Sequence, residues 1–197
     1  MTNYNFKPKN ESSKYGWYGR GYIPHFDGDE ISQFITFRLC DSMPQETLEK
    51  WRGEVSNDVE FRKNIERYLD SGYGECWLKN DEVALMVQEA LSFHNTKSYT
   101  LTAWVVMPNH IHILITPLKD QELSDILHSI KSFTAHKANK ILKRSGQFWQ
   151  HESFDRYIRT REHFVNVVNY IEENPVKAEL CKESSDWKYS SAFFRNK

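Results

Sequence analysis

Apolar and polar residues alternate in two stretches of the chain, which is the pattern of half-buried β-strands. One stretch is Ser32–Cys40. The other covers residues 99–116 and is interrupted by Pro108 and Asn109, which are typical of a tight turn. The pattern therefore predicts one strand in the first quarter of the chain and an antiparallel hairpin at its centre. A shorter run predicts a further strand at Phe154–Ile158.

Five other stretches repeat their apolar residues every three or four positions, the spacing of an amphipathic helix. Three of them start with residues that favour a first turn: Pro44 opens the first, and Asn57 and Asn80 can cap the second and third. Pro175 predicts that the last helix ends or bends at Asn174, because proline disfavours helical backbone in the residue before it. The predicted helices cover residues 44–54, 57–70, 81–93, 121–144 and 162–173.

The order of these elements predicts an α+β fold, in which helices flank a mostly antiparallel sheet. A chain of 197 residues most often forms one domain with a sizeable core of its own. Residues 1–30 are polar and contain four glycines, so we interpret them as an N-terminal arm that belongs to the same unit. Residues 31–197 are then a single domain with a C-terminal tail.

Composition and cysteine use indicate a globular protein of a reducing compartment. Aromatic residues make up 14% of the chain and the net charge is −1, neither of which fits a disordered protein. The apolar runs are too short to span a bilayer, and the N-terminus lacks an apolar signal segment. Three widely spaced cysteines offer no thiolate metal site. We therefore expect a cytoplasmic protein with no membrane partner.

The near-zero net charge conceals an uneven distribution along the chain. Residues 41–96 carry twelve acidic and six basic side chains, whereas residues 97–197 carry fifteen basic and eleven acidic ones. A basic C-terminal half can receive an anionic partner such as a nucleic acid in spite of the neutral total. Solvated helix faces produce the same distribution, and the sequence indicates no role for the acidic stretch.

His110 and His112 lie two positions apart in the second strand of the predicted hairpin. Residues two apart on a strand share a face, so both imidazoles point the same way. Two imidazoles on one face form a chelating pair for a divalent metal ion. The same spacing suits two polar residues on an exposed strand face, and spacing alone does not separate these interpretations.

The last predicted helix presents a row of polar side chains opposite its apolar stripe. Asn166, Tyr170 and Asn174 follow at intervals of four residues and so line one side of the helix. Such a tyrosine is usually a surface or interface residue. As a nucleophile it needs help, because a phenol with a pKa of about 10 is hardly ionised at neutral pH. A metal ion held by His110, His112 and Asn174 would supply that help by polarising a phosphodiester beside the phenol.

Two segments resemble the catalytic motifs of HUH single-strand transposases. Residues 104–114 (WVVMPNHIHIL) resemble their metal-binding strand, and residues 169–177 (NYIEENPVK) resemble their tyrosine helix. Together with smaller matches, the chain resembles the REP-associated tyrosine transposases from about residue 17 to residue 193. This branch has asparagine at the position of Asn174, where insertion-sequence relatives have glutamine. The smaller matches are residues 20–22, 74–78, 130–134 and 148–150, and Trp187 with Ser190 and Ser191.

The resemblance implies a compact HUH endonuclease domain that cleaves and rejoins single-stranded DNA at palindromic, REP-like hairpins. By position, Tyr170 attacks the scissile phosphate and leaves a 5′-phosphotyrosine and a free 3′-hydroxyl. His110, His112 and Asn174 hold Mg²⁺ or Mn²⁺. Because the covalent link conserves the energy of the phosphodiester, rejoining needs no ATP. The resemblance also implies that the protein acts as a monomer or a homodimer.

Basic residues outside the two motifs are candidates for contacts with DNA phosphates. Ordinary solvated side chains have the same appearance in a sequence. Two other functions stay open: a non-catalytic module that binds hairpin DNA, and a metal-dependent hydrolase of another substrate, for which neither motif supplies a carboxylate base. The candidates for phosphate contacts are His136, Lys140 and Lys143 on the predicted helix 121–144, and Arg156 and Arg159 before the tyrosine helix.

Overall fold

The computed structural model describes residues 17–19, 24–26, 30–55 and 57–195. The strands are β1 (Trp17–Gly19), β2 (Pro24–Phe26), β3 (Gln33–Arg38), β4 (Tyr99–Val106), β5 (His110–Pro117) and β6 (Phe154–Tyr157). The helices are α1 (Gln45–Glu54), α2 (Asp58–Asp70), α3 (Asp81–Phe93), α4 (Leu123–Ile141), α5 (Arg161–Lys177) and α6 (Ser191–Arg195), with 3₁₀ turns at Trp77–Lys79 and Ser184–Asp186. The α+β prediction is confirmed.

The main sheet is antiparallel and has the strand order β4–β5–β3–β6. Strands β4 and β5 form the hairpin that the alternating pattern predicted, with Pro108 and Asn109 in its turn. On its other side β5 pairs with β3, so that His112 lies opposite Thr36 and His110 lies opposite Arg38. Most of the predicted arm, residues 1–30, lies outside the described residues. The part of the arm that is described includes the antiparallel pair β1–β2.

Helices cover both faces of the main sheet and enclose separate apolar clusters. On one face, Ile111 and Ile113 pack against α3 and α4. On the other face, Phe34 and Leu114 pack against α5. The rest of that second face is covered by α1 and α2, whose apolar side chains pack against Phe154 of β6. Because β5 alternates, His110 and His112 point to the same face as Leu114, between α2 and α5.

The N-caps of two helices are those that the sequence predicted. The side chain of Asn57 accepts a hydrogen bond from the backbone N–H of Glu60 at the start of α2. The side chain of Asn80 accepts one from the backbone N–H of Val83 at the start of α3. Each satisfies an N–H group that has no partner inside its helix. No helix in the described part of the chain is both long and apolar enough to cross a membrane.

The prediction that the last helix ends or bends at Asn174 is wrong about where it ends, because α5 continues through Pro175 to Lys177. Proline removes only one backbone N–H, and close to a helix end that loss affects one hydrogen bond. The last turn is closed instead by the N–H of Ala178, which donates to the carbonyl of Asn174 (3.0 Å), and by that of Leu180, which donates to Pro175 (2.9 Å).

Candidate active site

The two histidines of β5 are fully buried, and their Nε2 atoms point toward each other. The Nε2 atoms of His110 and His112 lie 3.1 Å apart, and neither side chain has any exposed surface. This burial excludes the interpretation of two polar residues on an exposed strand face. Two imidazole nitrogens that are each about 2.1 Å from one metal ion, at a right angle, lie about 3 Å apart. The observed separation therefore fits a chelating pair.

Asn109 determines which nitrogen of His110 carries the proton. Its amide nitrogen donates to the carbonyl oxygen of Tyr73 (2.9 Å), which orients the amide. The amide oxygen then lies 2.7 Å from Nδ1 of His110, so Nδ1–H must be the donor of that hydrogen bond. Nε2 of His110 consequently bears a lone pair that points toward His112. This is the tautomer that binds a metal ion through Nε2.

His112 is held by β3. Its Nδ1 lies 2.7 Å from the hydroxyl oxygen of Thr36, and its ring stacks on Phe34 with 5.4 Å between centroids. Burial lowers the pKa of His110 to about 3. Burial, and then the neighbouring His110, lowers the pKa of His112 well below its ordinary value. Both imidazoles are therefore neutral at neutral pH, as metal ligands must be.

Tyr170 of α5 lies against this pair. Its ring meets His112 edge-on at 5.4 Å and Phe34 edge-on at 5.8 Å. The hydroxyl is buried and makes no hydrogen bond of good geometry with any described residue. Burial raises the pKa of Tyr170, and the carboxylates of Glu66 and Asp70 raise it further. The phenol thus stays protonated unless positive charge reaches it or a base accepts its proton.

Asn174 lies one helical turn beyond Tyr170 and has no exposed surface. Neither its amide oxygen nor its amide nitrogen has a hydrogen-bond partner among the described residues. An unpartnered polar group in the interior costs about 1–3 kcal/mol. Together with the two neutral imidazoles, this amide makes a donor set of nitrogen and oxygen that fits a divalent metal ion. The structure therefore brings together His110, His112 and Tyr170, and it places the amide of Asn174 beside the carboxyl of Asp70.

Two carboxylates of α2 also reach the site, and sequence reasoning missed both. Asp70 Oδ1 lies 3.7 Å from Nε2 of His110, and Glu66 faces the phenol of Tyr170. Burial, and then Glu66, raises the pKa of Asp70 to about 6, against the opposing effect of the Asn174 amide. A signal was present, since Glu66 and Asp70 are four residues apart beside the apolar stripe of their helix.

The basic candidates separate into two groups. Arg156 of β6 lies at the site, with its guanidinium 5.4 Å from the Phe34 ring centroid and its charge near Glu66. Arg159, close to the start of α5, is exposed and covers the ring of Tyr157 at 5.2 Å. The others lie on or just beyond α4, on the opposite side of the sheet, and are exposed. These are His136, Lys140 and Lys143.

Comparison with protein families decides the class of this protein. The family model described as "Transposase IS200 like" matches residues 76–174, which is half of the chain. The chain belongs to the IS200-like transposase family. The matched segment contains the β4–β5 hairpin with both histidines and ends at Asn174. Helix α2, with Glu66 and Asp70, lies before it.

Within this family the chain is similar to the REP-associated tyrosine transposase of Escherichia coli K12. The two are 32% identical over 96 residues, which cover 48% of this chain and 55% of that protein. A Haemophilus influenzae relative is 28% identical over 103 residues, covering 47% and 58%. The chain therefore spans about half the length of the curated relatives it matches. The resemblance to REP-associated tyrosine transposases is confirmed.

A solved structure supports the fold of this family member. It is described as a REP-associated tyrosine transposase bound to a REP hairpin. The TM-score is 0.52 at 22% sequence identity, and the match covers 88% of this chain and 81% of that one. This likeness shows that the sheet and helices of the present chain are arranged as in that transposase.

Proposed function

We propose that this protein is a metal-dependent single-stranded DNA endonuclease and transposase, which cleaves and rejoins DNA at palindromic, REP-like hairpins. The observation that carries the proposal is the buried, unpartnered phenol of Tyr170 against the His110–His112 pair. Family membership and the hairpin in the solved relative support the substrate class. The domain covers residues 31–197 and acts as a monomer or a homodimer.

In this proposal Tyr170 is the nucleophile. Its oxygen forms a bond to the scissile phosphorus while the bond from phosphorus to the 3′-oxygen breaks, leaving a 5′-phosphotyrosine and a free 3′-hydroxyl. The phenol must lose its proton, and Glu66 faces it. Burial raises the pKa of Glu66, which makes this carboxylate a stronger base. Rejoining reverses these steps, with a 3′-hydroxyl as the attacking group.

His110, His112 and Asn174 are the proposed holders of Mg²⁺ or Mn²⁺. When bound, the ion would polarise the scissile phosphate and stabilise the charge that develops on its oxygens. The chain contributes the neutral imidazoles, the buried amide and the fixed His110 tautomer described above. Arg156 is the proposed contact for the phosphate next to the phenol. Its guanidinium is partly buried, and its Nε has no hydrogen-bond partner among the described residues.

The site also favours a second candidate, a metal-dependent hydrolase. The glutamates of the tyrosine motif are not placed as a base, since Glu172 pairs with Arg195 and Glu173 is exposed. Helix α2 instead brings Asp70 to His110 and Glu66 to Tyr170. A hydrolase would activate water with one of these groups and would not need the phenol. The two candidates therefore differ in what happens when the hydroxyl of Tyr170 is removed.

The test is to incubate the protein with single-stranded hairpin oligonucleotides from the DNA beside its own gene, with Mg²⁺ or Mn²⁺. We expect a covalent protein–DNA adduct on a denaturing gel, lost in Tyr170→Phe and kept in Tyr73→Phe, an exposed tyrosine used as the control. No adduct with any of these hairpins, or an adduct that survives Tyr170→Phe, contradicts the proposal. Cleavage without an adduct in Tyr170→Phe indicates the hydrolase, and binding without cleavage by either protein indicates a DNA-binding module.

A further inference from the structure

We propose that Asp70, at the end of α2, is an additional and anionic ligand of the divalent ion bound by His110 and His112. This inference rests on the proposed function, because it assumes that the histidine pair binds a metal ion. It adds a ligand from a helix that lies outside the family-matched segment, residues 76–174.

Three potential ligand atoms converge in the interior. One oxygen of Asp70 and one nitrogen of each histidine all lie within 4.8 Å of one another. The closest approach of the carboxylate is the 3.7 Å between Oδ1 of Asp70 and Nε2 of His110. Two donors that are each about 2.1 Å from one ion lie roughly 3 to 4 Å apart, depending on the angle between them. The separation fits a shared ion.

A hydrogen bond does not explain this contact. Nδ1 of His110 donates to Asn109, so Nε2 presents a lone pair and has no proton to give to Asp70. The Asp70 Oδ1 atom is itself buried and has no hydrogen-bond partner among the described residues. Two acceptor atoms that face each other in a low-dielectric interior repel each other. A cation between them converts this repulsion into attraction.

The fold holds Asp70 at this place. Asp70 is the last residue of α2, directly after Leu69, whose side chain is almost completely buried. Leu69 packs in one cluster with Phe61 and Ile65 of the same helix and with Met43. Because three side chains of one helix pack in that cluster, the backbone of Asp70 is held near the histidines. A ligand on a rigid element of this kind is close to its binding position before the ion arrives.

An anionic oxygen ligand also bears on which ion the site takes. Imidazole alone suits Zn²⁺, Cu²⁺ and Ni²⁺, whereas carboxylate and amide oxygens suit Mg²⁺ and Mn²⁺. Two imidazoles from β5, the amide oxygen of Asn174 and the carboxylate of Asp70 make a mixed set with one negative charge. Removal of the carboxylate should therefore weaken the binding of Mn²⁺ more than that of Zn²⁺.

The test measures the binding of Mn²⁺ alone to the full chain, by calorimetry and by the electron paramagnetic resonance of free Mn²⁺, without DNA. We expect one site in the wild type, binding at least about 10-fold weaker in Asp70→Asn, and a smaller loss for Zn²⁺. Glu60→Gln changes an exposed carboxylate of the same helix and should bind as the wild type does. His112→Ala should abolish the site.

The outcomes separate this inference from the proposed function. If Asp70→Asn binds Mn²⁺ like the wild type while His112→Ala does not, the inference is wrong and the histidine site stands. If the wild type binds no Mn²⁺, or His112→Ala leaves binding unchanged, the metal site of the proposed function is wrong as well. A crystal structure of the wild type with Mn²⁺ decides the matter without any variant: an Asp70 oxygen bound to the ion supports the inference, and a carboxylate turned away overturns it.

Discussion

At the scale of single residues, one amide decides whether His110 can act as a ligand. The contact between Asn109 and Nδ1 of His110 leaves the lone pair on Nε2, inside the site. Without that acceptor the imidazole could place its proton on either nitrogen and could rotate. Loss of a hydrogen-bond partner of a metal-binding histidine commonly weakens metal affinity by about 10- to 100-fold.

We expect Asn109→Ala to weaken Mn²⁺ binding by about 10- to 100-fold, because His110 loses the acceptor that fixes its tautomer. Calorimetric titration of the variant measures the effect. Asn166→Ala removes an exposed amide one helical turn before Tyr170; it is the matched control and should bind Mn²⁺ normally. Unchanged affinity in Asn109→Ala would mean that Asn109 does not orient the ligand.

Asp70 makes the metal-free protein sensitive to pH. Burial, and then Glu66, raises the pKa of this carboxyl from the ordinary 3.8 to about 6. Between these two values the folded protein binds the proton more tightly than the unfolded chain does. Stability therefore decreases as the pH rises through this window, and the loss is complete above the folded-state pKa.

Metal-free Asp70→Asn should be more stable than the wild type at pH 7.5, by up to about 3 kcal/mol, since it removes a buried charge. The difference in the free energy of unfolding between the variant and the wild type should be smaller at pH 4, where the wild-type carboxyl is protonated in the folded state. Urea unfolding in the presence of a chelator measures both values. Saturating Mn²⁺ should narrow the difference at pH 7.5, because it stabilises the wild type more. A difference that is the same at both pH values would contradict this account.

At the scale of secondary-structure elements, two helices close over one strand. Helix α5 brings Tyr170 to the histidines of β5. Helix α2 brings Asp70 to His110 and Glu66 to the phenol from the other side. The position of α2 depends on its apolar side chains, which pack under α1 and against β6. Damage to that packing should therefore reach the site.

Leu69→Ala and Leu91→Ala test this dependence as a pair. Both leucines are almost completely buried, one on α2 beside the site and the other on α3 across the sheet. Each variant should lose about 2–5 kcal/mol of stability in chemical unfolding. Only Leu69→Ala should also weaken the binding of Mn²⁺ to the folded protein, measured at a temperature where both are folded. Equal affinities would show that α2 does not position a ligand.

The elements themselves could be predicted from sequence because their signals are local. Alternation in β3, β4 and β5 and the caps Asn57 and Asn80 depend on neighbours within a few residues. The histidine pair and the row of polar residues on the last helix could be predicted from sequence for the same reason. The approach of α2 to β5 could not be predicted. An apolar stripe shows that a helix packs on the core, but it does not show which strand or helix it packs against. The prediction that the last helix ends before Pro175 was wrong because the effect of a proline depends on how close it lies to the helix end.

At the scale of the whole molecule, the sheet lies between the candidate active site and the exposed basic residues of α4. The histidines and Tyr170 lie on the α2–α5 side, and the basic residues of the predicted helix 121–144 lie on the other side. The net charge of −1 gives little general attraction to DNA. A hairpin that is held by α4 residues must therefore reach around the edge of the sheet to the phenol.

We expect Lys140→Ala with Lys143→Ala to weaken hairpin binding and to reduce the slope of log affinity against log salt by about 2. Both lysines are exposed on or near the end of α4. Fluorescence anisotropy over a range of salt concentrations measures the slope, and Lys50→Ala on α1 is the control. A slope equal to that of the wild type would place the phosphate contacts elsewhere, for example at Arg156.

The burial of His110 and His112 has a kinetic consequence. Neither ring touches solvent, so an ion can reach or leave their nitrogens only when surrounding side chains move aside for a moment. Exchange of the ion is then limited by the frequency of that local opening, not by diffusion. In the absence of DNA, the metal-loaded protein should therefore keep its ion, and a chelator should remove it slowly, at a rate independent of the chelator concentration.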